Sequence, residues 1–156
     1  MKIEGRNPES GETYQTKDNN VDSSFVDWSS TFEMSDSTVK KIIDNLELSA
    51  DTKSLIYSFS KATIKAGEFV IKIGRKIIDF ICKLFSDYPS ASFGMIFGAI
   101  AGFLVASIPV LGVLASFITP ILMAFGLAKG LNEDLKDKAL ARRIAEINGQ
   151  FAPLHA

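Results

Sequence analysis

One cysteine, one histidine and one tryptophan in 156 residues leave little material for redox or metal chemistry. Cys82 has no partner for an intrachain disulfide. Its neighbours Phe80, Ile81, Leu84 and Phe85 mark it as a buried structural thiol rather than a reactive one. His155 is the penultimate residue, so no cysteine–histidine pair can be assembled on an ordered frame. No CxxC, HExxH, P-loop or GxGxxG spacing occurs. The carboxylates fall on tails and on expected solvated helix faces. These absences argue against an enzyme, and neither cofactor nor metal is expected.

Net charge is also nearly absent, at −1, so no global field draws the chain to nucleic acid. The balance hides an uneven distribution. Through residue 37, Lys2, Arg6 and Lys17 stand against eight acids, whereas residues 38–87 carry nine bases against six acids. From Pro89 to Ala128 there is no Asp, Glu, Lys, Arg or His at all, a run of 40 residues. Met1 to Asn20 is polar throughout and reads as no secretory leader.

What is present divides the chain into four segments. Residues 1–34 are polar and acidic and suit a flexible tail. Within them SSFVDWSSTF carries Phe25, Trp28 and Phe32, either an anchor seeking a groove or a patch on the protein's own core. Residues 35–88 read as amphipathic cationic helix. SDST at Ser35 and SADT at Ser49 are start signals, and no proline follows before Pro89. Over the second of these helices, Lys61, Lys65, Lys72, Lys76 and Lys83 fall within about 60° of one another at 100° per residue. Arg75 flanks this ridge, which would run about 33 Å. It suits a solvated face, anionic headgroups or a polyanion. Residues 129–156 carry a further amphipathic helix from about Asn132 to Asn148, with Leu131, Leu135, Ala139, Ile144 and Ile147 as its stripe and Gly149 to close it.

The uncharged segment, 89–128, has Pro109 and Gly112 at its middle, which divides it into Ser92–Ile108 and Val110–Leu127. Segments of that length lie at the short end of what spans a bilayer, so the pattern predicts a transmembrane helical hairpin. Lys76 and Lys83 before it, and Lys129, Lys136 and Lys138 after it, place both ends in the cytoplasm. Gly94, Gly98 and Gly102, continued by Ala106, then form a smooth strip for close helix packing, within one hairpin or between copies. The expected fold is all-α, assembled on a lipid bilayer as a homo-oligomer, with a tetramer as one candidate.

The run GMIFGAIAGFLVASIPVLGVLASFITPILMAFGLAKG behind an amphipathic region resembles the hydrophobic hairpin of colicin-type pore formers. The overall plan of polar N-terminus, cationic helix and short hairpin is similar to small bacterial antiphage membrane effectors of the Hailong type. That resemblance implies an oligomeric channel in the bacterial inner membrane, restrained by a nucleotide oligomer from a partner nucleotidyltransferase and opened during infection. It makes Lys61, Lys65, Lys72, Arg75, Lys76 and Lys83 the ligand surface, and Phe25, Trp28 and Phe32 a gating plug. A pore former without nucleotide control and a non-conducting membrane adaptor remain as alternatives.

Overall fold

The computed structural model describes residues 2–17, 20–126 and 137–155. It overturns the all-α expectation at the start of the chain. Strands β1 (Lys2–Arg6) and β2 (Thr13–Lys17) pair antiparallel, β3 (Thr63–Ala66) pairs with β1, and β4 (Phe69–Ile71) pairs with β3. The order across the sheet is β2-β1-β3-β4. The physical reason is a period of two. Ile3, Ile64, Ala66 and Ile71 point inward and are buried, while Lys2, Arg6, Lys17 and Lys65 alternate outward. Between β3 and β4 the pairing of Ala66 with Phe69 leaves a two-residue turn, with Gly67 at φ +59°.

The helix expected to run unbroken to Asp87 is therefore interrupted by a β-hairpin. It consists of α3 (Ala50–Ser60) before the hairpin and α4 (Ile73–Asp87) after it. Ahead of them lie α1 (Ser23–Ser29) and α2 (Asp36–Asp44). Ser35 and Ser49 cap α2 and α3, each hydroxyl accepting a backbone N–H at 3.2 Å. Gly74 lets α4 cross the end of α3, since a Cβ there would lie 2.0 Å from the Phe59 carbonyl oxygen.

The uncharged segment is core. Its first arm joins α5 (Phe93–Phe97), a π-turn (Gly98–Gly102) and α6 (Phe103–Ser107). A 3-10 turn over Pro109–Leu114 bends the chain at the proline and glycine, and α7 (Ala115–Ala124) returns along it. Phe59 meets Phe97 and Phe117 edge to face, with centroids 5.6 and 6.0 Å away. No helix among the described residues is long and apolar enough to cross a membrane. The transmembrane hairpin expected for 89–128 is thus replaced by short arms buried against the sheet, α3 and α4, whose inward faces supply the apolar contact that lipid would otherwise give.

The sheet covers the bend. A Cβ on Gly5 would lie 2.3 Å from the Val110 carbonyl oxygen. Asn7, at the end of β1, donates its Nδ2 to the Val113 carbonyl and to Ser116 Oγ at 2.8 and 2.9 Å. The last helix, α8 (Lys138–Gln150), buries Leu140, Ile144 and Ile147 and runs past Gly149. Its expected first turn, with Leu131, Asn132 and Leu135, lies outside the described residues, as do Lys129 and Lys136.

Candidate functional site

The first turns of α4 gather most of the buried charge. Asp79 is fully buried and accepts backbone N–H groups from Glu33 at 3.0 Å and Met34 at 2.8 Å. Arg75 reaches the same carboxylate at 3.3 Å, Asp36 at 3.0 Å and the Met34 carbonyl, and its guanidinium lies 4.5 Å from the Phe32 centroid. The next residue, Lys76, is only 3% exposed. Its ammonium donates to the Thr31 carbonyl and sits over Trp28 and Phe80 at 4.5 and 4.9 Å, with Phe32 at 5.9 Å. Burial pushes the Lys76 ammonium below its ordinary pKa, and the Asp79 charge pulls it part of the way back.

This arrangement fixes residues 28–36 across α4. Phe25 is buried, and Trp28 packs between Phe25, Phe80 and Phe151 with centroids 5.2–5.9 Å away. Phe25 and Trp28 therefore belong to the protein's own core, while Phe32 lies half-buried against the Arg75 and Lys76 cations of α4. Of the two readings of this segment, the structure takes the patch rather than the free anchor.

Beside the network lies a cleft of about 400 Å³, lined by Phe32, Asp36, Ser60, Lys61, Thr63, Lys72 and Arg75. Lys61 closes α3 and Lys72 opens α4, so the β3–β4 hairpin brings both ammonium groups to one opening. No carboxylate occupies the first turn of α4, and Lys72 makes no side-chain cap. The positive end of the helix dipole adds to two cations that have no ion pair among the described residues. Asp36 is the one acid in the lining, and it is already engaged by Arg75. The cleft can hold an anion of phosphate character through Lys61 and Lys72.

The six cations expected to share one ridge are thus divided. Lys61, Lys72 and Arg75 meet at the cleft, and Lys65 lies on the solvent face of the sheet. Lys76 is enclosed, while Lys83 pairs with Asp87 at 3.3 Å. The ridge fails because residues 63–71 have strand, not helix, periodicity. The sequence signal that would have joined Lys61 to Lys72 was Gly67, midway between them and able to reverse the chain.

The glycine strip is divided as well. Gly94 packs on Phe125, where a Cβ would lie 2.5 Å from Cγ, and Gly98 is buried. Gly102 is half-buried with only Ile118 near, and Ala106 is exposed. Close packing within the chain, not between copies, accounts for the first two. Asn148 Nδ2 donates to the Ala99 carbonyl inside the π-turn at 3.2 Å, which ties α8 to the same arm. Asn7 and Asn148 were not legible as contact residues, since a single polar side chain has no periodicity.

Cys82 is buried as expected, and desolvation pushes its thiol up to about 12. Among the described residues no cluster of His, Cys, Asp and Glu could hold a metal ion. Comparison with protein-family models, curated proteins and solved structures returns no match.

Proposed function

We propose that the protein is a membrane-permeabilising effector that keeps its apolar segment folded against its own sheet and helices until released. The observation that carries this reading is the segment itself. Its 40 residues from Pro89 contain no charge even on the side that faces water. There Phe103 and Met123 are 49% and 59% exposed, and Ala106 lies uncovered between short arms. Ordinary core helices carry charge on the solvent flank. The bend of this segment is held by one sheet and one asparagine, so uncovering it needs few directed bonds to break.

The cleft supplies a means of restraint. A phosphate-bearing ligand held by Lys61 and Lys72 bears on both ends of the β3–β4 hairpin, and through β3 on the sheet that covers the bend. Such a ligand restrains the protein only to the extent that it binds this arrangement better than the released one. The bacterial inner membrane, the antiphage setting and a nucleotide oligomer from a partner nucleotidyltransferase rest on the resemblance alone.

Membrane-potential dye readings in expressing bacteria test the proposal. Depolarisation and growth arrest are expected on expression without restraint. Unchanged potential at high expression overturns the permeabilising function and favours a non-conducting membrane adaptor. That second reading draws on one observation, an apolar groove of about 430 Å³ between Phe103 and α8, lined by Ala141, Ile144, Ala145 and Ala152. Loss of ligand control in Lys61→Glu/Lys72→Glu, with depolarisation retained, is the outcome expected for the cleft. An unaltered response in that variant overturns nucleotide control.

A further inference from the structure

The sheet has a second cationic surface, separate from the cleft. Lys2, Arg6, Lys17 and Lys65 all project from its solvent face, and all four are exposed. None of them makes an ion pair among the described residues. Glu4 is the only acid on that face of the strands, and its carboxylate already accepts from Gln15. Lys2 and Lys17 stand directly opposite each other across β1 and β2. Like charges in that position repel, and an external anion removes the cost. The concentration of charge runs against the local composition, since residues through 37 hold only these three bases against eight acids.

The edge of the same face is apolar. Val70 lies directly across from Lys65 on that face and is 60% exposed, near the turn at Gly67 and Glu68. Cations with an adjoining apolar tip suit an anionic bilayer surface, where ammonium groups meet headgroup phosphates and the tip reaches the acyl boundary. A nucleic acid is less well served. The outward-pointing positions of the four strands hold no aromatic ring, because Tyr14 and Phe69 have the opposite parity, so bases find no stacking platform.

We infer that the solvent face of the sheet docks on the phosphate headgroups of an anionic lipid bilayer, through Lys2, Arg6, Lys17 and Lys65. The inference takes its partner from the membrane reading but uses residues apart from both the cleft and the apolar segment. Docking there sets the sheet, and the bend beneath it, against the bilayer before any release.

Flotation of the full chain with vesicles of phosphatidylcholine, alone or mixed with phosphatidylglycerol, provides the test. Binding is expected only with the anionic mixture and should fall steeply with salt. Each cation is worth about five-fold in affinity at such a surface, so Lys2→Gln/Arg6→Gln/Lys17→Gln/Lys65→Gln should lose about 600-fold. Circular dichroism of that variant should match the wild type, and Lys61→Gln/Lys72→Gln should float as the wild type does. Equal binding to phosphatidylcholine alone, or wild-type flotation of the quadruple variant, overturns the docking face. Dye release from the same vesicles separates the two readings. A wild type that floats without releasing dye supports the face and sinks permeabilisation. A quadruple variant that floats and releases dye like the wild type does the reverse.

Discussion

The beginning of α4 and the uncharged segment after it are both interior, yet they are held in opposite ways. Around α4, Asp79 and Lys76 are buried with named partners: two backbone amides, a carbonyl, a guanidinium and aromatic faces. Along the segment the contacts are apolar, the exceptions being Asn7 at the bend and Asn148 at the π-turn. Ser107 Oγ is buried there with no hydrogen-bond partner among the described residues. Directed bonds specify one arrangement and fail together when one is lost. Apolar packing is strong but indifferent to the identity of its partner, so the segment can exchange protein for another apolar surface. The first region anchors, and the second is free to change surroundings.

Removing the acid at the anchor should give the largest effect. Asp79→Ala leaves the Glu33 and Met34 amides and the Arg75 guanidinium without their common partner and removes the negative charge near buried Lys76, and should cost about 3–5 kcal/mol. Asp79→Asn keeps an acceptor and should recover part of that loss. Denaturant midpoints of the two variants check the order, and equal midpoints would mean that a neutral acceptor is worth nothing there and that the loss is that of the charge.

In the apolar segment, fit replaces bonding, so glycines should report it. Gly94→Ala places a methyl group within 2.5 Å of the Phe125 ring and should cost about 1–3 kcal/mol by overpacking. Gly102→Ala has only Ile118 Cγ2 near, at 3.8 Å, in a helical backbone. It should stabilise by about 0.5–1 kcal/mol, because alanine has less freedom to lose on folding. Opposite signs in thermal midpoints would show that the strip has one packed end and one open end. The same sign for both would undo that division.

These two glycines also show what the sequence could convey. Spacing of four marked a smooth helical strip and Pro109 with Gly112 marked its bend, both from local chemistry. Ser35 and Ser49 were legible as caps for the same reason. The face to which each glycine turns was not legible, because it depends on Phe125 and Ile118, beyond the bend. The sheet was hidden for two reasons. Its strands are three to five residues long, and Lys61, Lys65 and Lys72 satisfy a helical period by coincidence. A polar N-terminus with Ile3 as its one aliphatic strand residue reads as tail, although β1 is inserted between two other strands. The cleft depends on that hidden hairpin, so the sequence shows its cations singly but not their grouping.

The smallest expected effect lies at a surface charge pair between the end of α4 and α8. Asp87, at the end of α4, takes Arg143 of α8 at 2.8 Å and Lys83 at 3.3 Å. The hydrogen bond from Arg143 is the main reason that the Asp87 carboxyl is held below its ordinary pKa, with Lys83 adding to it. A carboxylate lowered in the fold contributes stability that is present above the ordinary carboxylate pKa and is lost as pH falls through the folded value. Both partners are about one-third exposed, so water screens the pair. Arg143→Gln should therefore cost only about 0.5 kcal/mol at neutral pH. The difference from the wild type should begin to shrink as pH falls below the ordinary carboxylate pKa of about 4 and be gone once pH has passed the lowered folded value. It should also shrink in concentrated salt. Thermal midpoints across that pH range check the prediction. A difference that persists unchanged at low pH would assign the loss to Arg143 packing over the Tyr88 ring, 5.8 Å from its centroid, rather than to the charge pair.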